Sequence, residues 1–157
     1  MKKLIIIGGG AAGYFAAINA AELNPDLEVV ILEGSNKVLQ KVKVSGGGRC
    51  NITHACFIPN ELIEFYPRGK KELRGPFHHF MTGDTMEWFE KRGVPLKIED
   101  DNRIFPESNS SQTIIDCFLE SAKNVGVILK TSTRADSIEK KDEQFIVRTN
   151  NGEFIAD

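Results

Sequence analysis

The spacing of apolar positions changes several times along the chain, and each change marks an element. Lys3–Ile7 is a short apolar run, rich in β-branched residues and followed by glycines, the pattern of a parallel strand buried on both faces. From Ala11 to Leu23 alanines dominate, and Ala16, Ala17, Ala20 and Leu23 suit a helix lying close on a sheet. Asn24-Pro25-Asp26 ends that helix, and Glu28–Leu32 forms a second buried strand. Residues 1–33 therefore predict a βαβ unit with a right-handed crossover.

The pattern then loosens. Residues 34–44 predict a polar loop with lysines, Ser45–Arg49 is glycine-rich, and Thr53–Gly75 is irregular, punctuated by Pro59 and Pro67. A helix capped by Thr82 or Asp84 is predicted to run to Arg92 and stop at Gly93, with Met86, Trp88 and Phe89 as its apolar surface. Leu96–Ile98 predicts a short strand, Asp100-Asp101-Asn102 a turn, and Arg103–Phe105 leads into Pro106. Ser110 or Ser111 is placed to cap a helix through Lys123, with Ile114, Ile115, Phe118, Leu119 and Ala122 on one face. Val127–Lys130 predicts a third parallel strand. Ala135–Glu139, Gln144–Thr149 and Glu153–Ala156 then alternate as an antiparallel meander. Asn151-Gly152 is its hairpin signal, with both turn positions at positive φ. The predicted fold class is α/β, with an incomplete parallel sheet followed by a β-meander.

Composition narrows the function classes. At 157 residues the chain has the length of about one domain. Twenty Lys+Arg stand against 22 Asp+Glu, a net charge of −2 that argues against a nucleic-acid or membrane-surface partner, whose binding rests on clustered positive charge. Leu4–Ile7 is far shorter than a membrane span, and Gly8–Gly10 cut it off too early for a secretory signal. Cys50, Cys56 and Cys117 include no CxxC pair, so reduced thiols in the cytoplasm, and no metal site, are expected.

The chemistry concentrates at Gly8-x-Gly10-x-x-Gly13, between the first strand and the first helix, with Glu33 closing the second strand. This is the Rossmann dinucleotide-binding arrangement, and each residue has a task. Gly8 permits the tight turn, Gly10 lets a pyrophosphate approach the backbone, and Gly13 lets helix and strand pack closely. The helix N-terminus offers unpaired N–H groups to the phosphates. Glu33 accepts hydrogen bonds from ribose hydroxyls and disfavours a 2′-phosphate, while leaving FAD and NAD both open. A second feature is Ser45-Gly46-Gly47-Gly48-Arg49-Cys50-Asn51, whose glycines could form an anion nest and whose Arg49 could meet a phosphate or anionic substrate; a flexible loop is the plainer reading.

Cys50 beside Arg49 is a candidate low-pKa thiol, although packing in the loop is preferred because no partner cysteine has oxidoreductase spacing. His54, His78 and His79 form no readable triad or metal site. Glu99, Asp100 and Asp101 suit a turn. Phe77, Phe80, Trp88 and Phe89 read as core.

The sequence resembles the YhiN-like family of bacterial flavoproteins, which includes aminoacetone-oxidase-like enzymes and members linked to bile-acid dehydroxylation. The resemblance rests on IIIGGGAAG (Ile5–Gly13), SGGGRCN (Ser45–Asn51) and RGVPLKIEDDNRIFP (Arg92–Pro106), in that order. It implies a Rossmann-like FAD/NAD(P)-binding domain and an oxidoreductase in which FAD carries out hydride or electron transfer on a small molecule. It assigns the FAD pyrophosphate and adenosine ribose to Gly8, Gly10, Ala12, Gly13 and Glu33. It places Lys41, Ser45, Gly46, Gly47, Arg49, Cys50 and Asn51 beside the flavin, and the backbone of Ala135 beside adenine. The family often carries Gly-Arg just before the lysine matching Lys41, where this chain has Leu39-Gln40, which weakens a phosphate role there. No catalytic residue is assigned.

The resemblance further implies an N-terminal portion only. Residues 1–33 would be the nucleotide-binding βαβ unit, 34–126 the glycine-rich loop and helical insertion, and 127–157 the last parallel strand and meander. The substrate domain and the C-terminal FAD motif would be absent, with a second chain as a candidate supplier of the missing half. The competing expectations are an NAD-dependent dehydrogenase module and a non-catalytic nucleotide-binding fragment.

Overall fold

The computed structural model describes residues 1–157. In chain order, β1 (Lys3–Ile7), α1 (Ala11–Leu23), β2 (Glu28–Leu32) and α2 (Gln40–Val44) lead into a 3-10 turn at Ser45–Gly48. Then follow β3 (Thr53–His54), α3 (Pro59–Leu62), α4 (Lys70–Phe77), α5 (Thr82–Glu90), β4 (Leu96–Ile98) and β5 (Arg103–Pro106). The last elements are α6 (Ser111–Asn124), β6 (Ile128–Lys130), β7 (Ala135–Lys141), β8 (Gln144–Thr149) and β9 (Gly152–Ala156). They form two compact units, one of residues 1–42 with 118–157 and the other of residues 43–117. No helix is long and apolar enough to cross a membrane.

The first unit is layered. Its parallel sheet has the order β1-β2-β6, with Lys3 opposite Glu28, Ile7 opposite Leu32, and Val30 opposite Ile128. Burial on both faces explains the apolar run of the central β2, whereas β1 is only partly buried, with Ile7 exposed, and β6 is exposed throughout. On one face lies α1, which buries Tyr14, Ala17, Ile18 and Ala21; its alanines permit the close approach. On the other lies the meander, where Val147 packs with Val30 and Leu32, flanked by Ile5, Ala135 and Phe154. Beyond β1, the Asp157 N–H donates to the Lys3 carbonyl at 3.1 Å, and the Lys3 N–H donates to Asp157 Oδ2 at 2.8 Å.

One turn in the meander differs from expectation. Thr149 pairs with Gly152, so the two turn residues are Asn150 and Asn151, neither at positive φ, and Gly152 carries φ +108° as the first residue of β9. The glycine thus absorbs the twist after the turn, as in a bulged hairpin, rather than sitting within it.

The second unit is built on the antiparallel sheet β3-β5-β4, whose Ile104 and Phe105 are fully buried. α5 buries Trp88 and Phe89 and stops at Glu90, ahead of Gly93 at φ +76°. Asp84 serves the cap by accepting the Met81 N–H at 2.8 Å. Thr82 does not cap: it is buried inside the helix and its hydroxyl donates to the His54 carbonyl at 2.9 Å. Phe80 and Leu119 are exposed, so neither belongs to the predicted core. The stretch expected to be irregular contains α3 and α4, and the expected loop before Ser45 contains α2.

Candidate functional site

The first unit places the glycine motif at the C-terminal end of β1. Gly8 turns the chain at φ +106°, a value suited to glycine, and its N–H donates to the Leu32 carbonyl at 2.8 Å. Gly10 caps α1 with extended backbone (φ −92°, ψ −176°), and a Cβ built there meets nothing within 4 Å. Position 10 is therefore open on the side a ligand would approach. Gly13 is the opposite case: a Cβ there would lie 2.0 Å from the Gly8 carbonyl oxygen. Its hydrogen is what lets α1 sit against the turn. The first turn of α1, which includes the exposed Ala12, carries no acidic side chain, so its positive end is not neutralised.

Glu33 leaves β2 and bends back over this turn. Its Oε2 accepts the Gly9 N–H at 2.7 Å and its Oε1 accepts the Ser35 N–H at 2.8 Å. These bonds, led by Ser35, hold its carboxyl below the ordinary glutamate range against partial burial, which acts in the other direction. Tyr14 lies in the same field; burial first, and then the Glu33 charge, push its hydroxyl above the usual tyrosine range.

The wall opposite α1 comes from residues 35–42. The Leu39 N–H donates to the Gly9 carbonyl at 2.8 Å, and Leu39 itself holds φ +57°. Gly10, Glu33, Ser35, Lys37, Leu39 and Lys41 are among the residues around a cavity of about 400 Å³. A carboxylate and two lysines thus share one pocket with a helix N-terminus. Nearby, the chain after β6 crosses residues 33–35: the Thr133 N–H donates to the Glu33 carbonyl and the Ser132 N–H to the Ser35 carbonyl, both at 2.8 Å. Ala135 follows at once, half-buried, paired with Thr149 at the start of β7.

The second unit holds the other glycine-rich segment. Gly46, Gly47 and Gly48 take φ +55°, +69° and +85°, and Cys50 follows at +61°. The expected nest does not form in full, because the Cys50 N–H donates to the Ser45 carbonyl (3.0 Å) and the Arg49 N–H to the Gly46 carbonyl (3.4 Å). Those donors face inward. Nor is Arg49 poised for an anion. Its guanidinium bonds both Glu99 oxygens, donates through Nε to Asn109 Oδ1 at 3.0 Å, and lies 3.9 Å over the Phe105 ring. The Arg49 hydrogen bond in turn holds the Glu99 carboxyl below its usual range. Burial raises the Cys50 thiol's pKa and a hydrogen bond from Ser45 offsets this only in part, which favours packing in the loop over an activated thiol. The Asn51 side-chain nitrogen, with the amide oriented by this network, faces the carbonyls of Thr53 (3.0 Å) and Ile104 (3.3 Å).

Of the residues expected from sequence, Gly8, Gly10, Ala12, Gly13, Glu33 and Lys41 come together at the first unit's cavity or on the turn that shapes it. Ser45–Asn51 form a clasped turn within the second unit. Gly9, Ser35 and Leu39 are additional residues of the pocket that spacing alone did not single out. Leu39 occupies the position where the resembling family often has glycine, and its left-handed backbone supplies the reason.

Comparison with known proteins bears on the family and the fold. The description HI0933-like protein Rossmann domain matches residues 2–157. The chain is 29% identical over 160 residues to the 3-dehydro-bile acid delta(4,6)-reductase of Clostridium scindens, an alignment covering 100% of this chain and 37% of that protein. It is 26% identical over 146 residues to the ribosomal RNA dihydrouridine synthase of Escherichia coli, covering 93% of this chain and 35% of that one. The chain thus spans little more than a third of the length of these curated relatives. Among solved structures, the 3-ketosteroid-delta4-(5alpha)-dehydrogenase of Rhodococcus jostii superposes with a TM-score of 0.67 at 14% identity, over 96% of this chain and 42% of that one, which shows a shared fold. By the match over residues 2–157, the chain belongs to the HI0933-like family of Rossmann domains.

Proposed function

We propose that this chain is the FAD-holding portion of a flavin-dependent oxidoreductase acting on a small molecule. The observation that carries the reading is the pairing of an open Gly10 at the N-terminus of α1 with a Glu33 carboxylate fixed 2.7 Å from the Gly9 N–H. These residues fit a dinucleotide. The α1 N-terminus, from Gly10 through Ala12 and Gly13, receives the pyrophosphate; Gly8 sets the turn that aims it. Glu33 accepts the adenosine ribose hydroxyl and repels a 2′-phosphate. Lys37 and Lys41 neutralise phosphate charge from the opposite wall. The backbone at Ala135 borders the adenine end. Bound FAD supplies hydride or electron transfer, and the protein supplies position and electrostatics.

Further assignments rest on the family resemblance. Ser45, Gly46, Gly47, Arg49, Cys50 and Asn51 are assigned to the flavin end, with Arg49 as the residue that fixes the turn through Glu99 and Asn109. Residues 1–33, 34–126 and 127–157 are the nucleotide-binding unit, the insertion, and the last parallel strand with the meander. Substrate contacts are assigned to the part of the relatives that this chain does not span, on the same polypeptide or a second one. The three cysteines are buried and form no disulfide, which supports a reducing compartment, the cytoplasm, as the proposed location.

Thermal unfolding with added nucleotides tests this reading. FAD at about 100 times its Kd should raise the melting temperature by roughly 5–10 °C, since binding at that excess contributes about 2.7 kcal/mol. NADP should give no comparable shift, and Gly10→Val should abolish the FAD effect while leaving the unliganded melting temperature near wild type. A shift with NAD and none with FAD would replace the assignment.

A further inference from the structure

Gly9, the middle glycine of the motif, is gripped from both sides. Its N–H donates to Glu33 Oε2 at 2.7 Å, and its carbonyl accepts the Leu39 N–H at 2.8 Å. A Cβ at this position would lie 2.8 Å from Val38 Cγ1, 3.2 Å from Glu33 Cβ and 3.3 Å from Glu33 Oε2. Gly9 is not in the left-handed region, so contact rather than backbone angle demands glycine here. Leu39, by contrast, is buried with φ +57°, a conformation that a leucine rarely takes, and it makes the second half of the grip. Two segments distant from the motif are thus closed onto one peptide that has no side chain to hold them off.

We propose that Gly9 is a positioning residue for the adenosine ribose, acting through Glu33. This rests on the FAD reading of the cavity. Glu33 Oε2 accepts the Gly9 N–H and Oε1 the Ser35 N–H, with weaker contributions from the Ser35 hydroxyl and the Gly34 N–H; a ribose hydroxyl would enter on the cavity side, in place of the weaker of these donors. The Gly9 N–H fixes the angle at which the carboxylate faces the cavity. An alanine would force Val38 Cγ1 aside and press on the carboxylate, moving the ribose acceptor while leaving Gly8, Gly10 and Gly13 unchanged. The 3.2 and 3.3 Å contacts to Glu33 need only small relief, whereas the 2.8 Å contact to Val38 is the one that must yield. Removing the Val38 branch should therefore undo the damage.

The test compares ADP with 2′-deoxy-ADP by calorimetric titration. The wild-type protein should prefer ADP by about tenfold, the scale of one hydrogen bond to a charged group. Gly9→Ala should erase most of that preference, and Gly9→Ala/Val38→Ala should restore it. A merely structural role would lower affinity for both ligands alike and leave the ratio intact. In the wild-type protein, the Gly9 amide NMR resonance should move more with ADP than with 2′-deoxy-ADP, a readout independent of whether Gly9→Ala folds. An unchanged ratio in Gly9→Ala, or equal movement of the Gly9 amide with both ligands, overturns the role of Gly9 while leaving the cavity's assignment standing. Wild-type protein that binds neither FAD nor ADP overturns the assignment of the cavity itself, and the role of Gly9 with it.

Discussion

Gly13→Ala should damage the fold far more than Gly10→Ala, although the two residues sit three positions apart in one motif. At position 13 the new Cβ would lie 2.0 Å from the Gly8 carbonyl oxygen, 3.2 Å from the Gly8 carbonyl carbon and 3.4 Å from Ile6 Cγ2. The obstacle is backbone, and it must retreat by more than an ångström before contact becomes ordinary. Gly8 cannot turn aside freely, because its N–H is bonded to Leu32. Inside a helix, Gly→Ala would otherwise stabilise by about 0.5–1 kcal/mol. Overpacking against a rigid neighbour costs about 1–3 kcal/mol and sometimes more. With a backbone clash the upper end applies, so a net loss of about 2–3 kcal/mol is expected, or a melting temperature lower by roughly 5–10 °C. At position 10 nothing lies within 4 Å of the added Cβ, and φ −92° suits any residue. The loss there is that of glycine's mild N-cap preference, about 1 kcal/mol at most. Circular dichroism melts of both variants without nucleotide measure the difference. A Gly13→Ala melt within about 2 °C of wild type would refute the claim that helix and turn meet through the glycine hydrogen.

Three further outcomes follow from the same geometry. Glu33 has its pKa lowered in the fold, so its stabilising effect is complete above the unfolded value of about 4.3 and is lost as pH falls through the lower folded value; Glu33→Gln should flatten the acid side of the stability–pH curve, and an unchanged slope below about pH 4.3 would contradict this. Gly46→Ala and Gly47→Ala both force a side chain to positive φ, costing about 1–2 kcal/mol, but only Gly46 would also strike Asn51 N (2.7 Å) and Phe105 (3.0 Å), so urea melts should show the larger loss for Gly46→Ala. All three cysteines are buried, with the Cys50 thiol pushed up, so a thiol reagent should label none rapidly in native protein and all three after denaturation; rapid native labelling of Cys50 would return it to candidacy as a reactive thiol.

The nucleotide-binding unit is legible because its signals are local. A β-branched run, a glycine turn and an alanine-rich stretch fix β1, α1 and β2 to the observed residues, and the meander's strands fall where alternation puts them. α2 and α3 are four or five residues long, too short for a period to register. α4 is charged, starts after Gly69 and contains Pro76, so composition argues against it; the Tyr66 and Phe77 rings, 5.4 Å apart, contribute the packing that composition lacks. The site divides in the same way. Glycine spacing locates the turn and Glu33, but it cannot show that Val38 and Leu39 close on Gly9. It also cannot show that Arg49 is taken by Glu99, a residue fifty positions away. Those contacts belong to the tertiary structure alone.

The central claim is that this chain holds FAD through the cavity bounded by Gly10 and Glu33. Its most direct test is the visible absorption spectrum of the purified protein, as isolated and again after incubation with FAD and desalting, beside Gly10→Val treated identically. A flavin spectrum retained by wild type and lost in the folded variant is the expected result. A folded wild-type protein that stays colourless after FAD loading would contradict the claim.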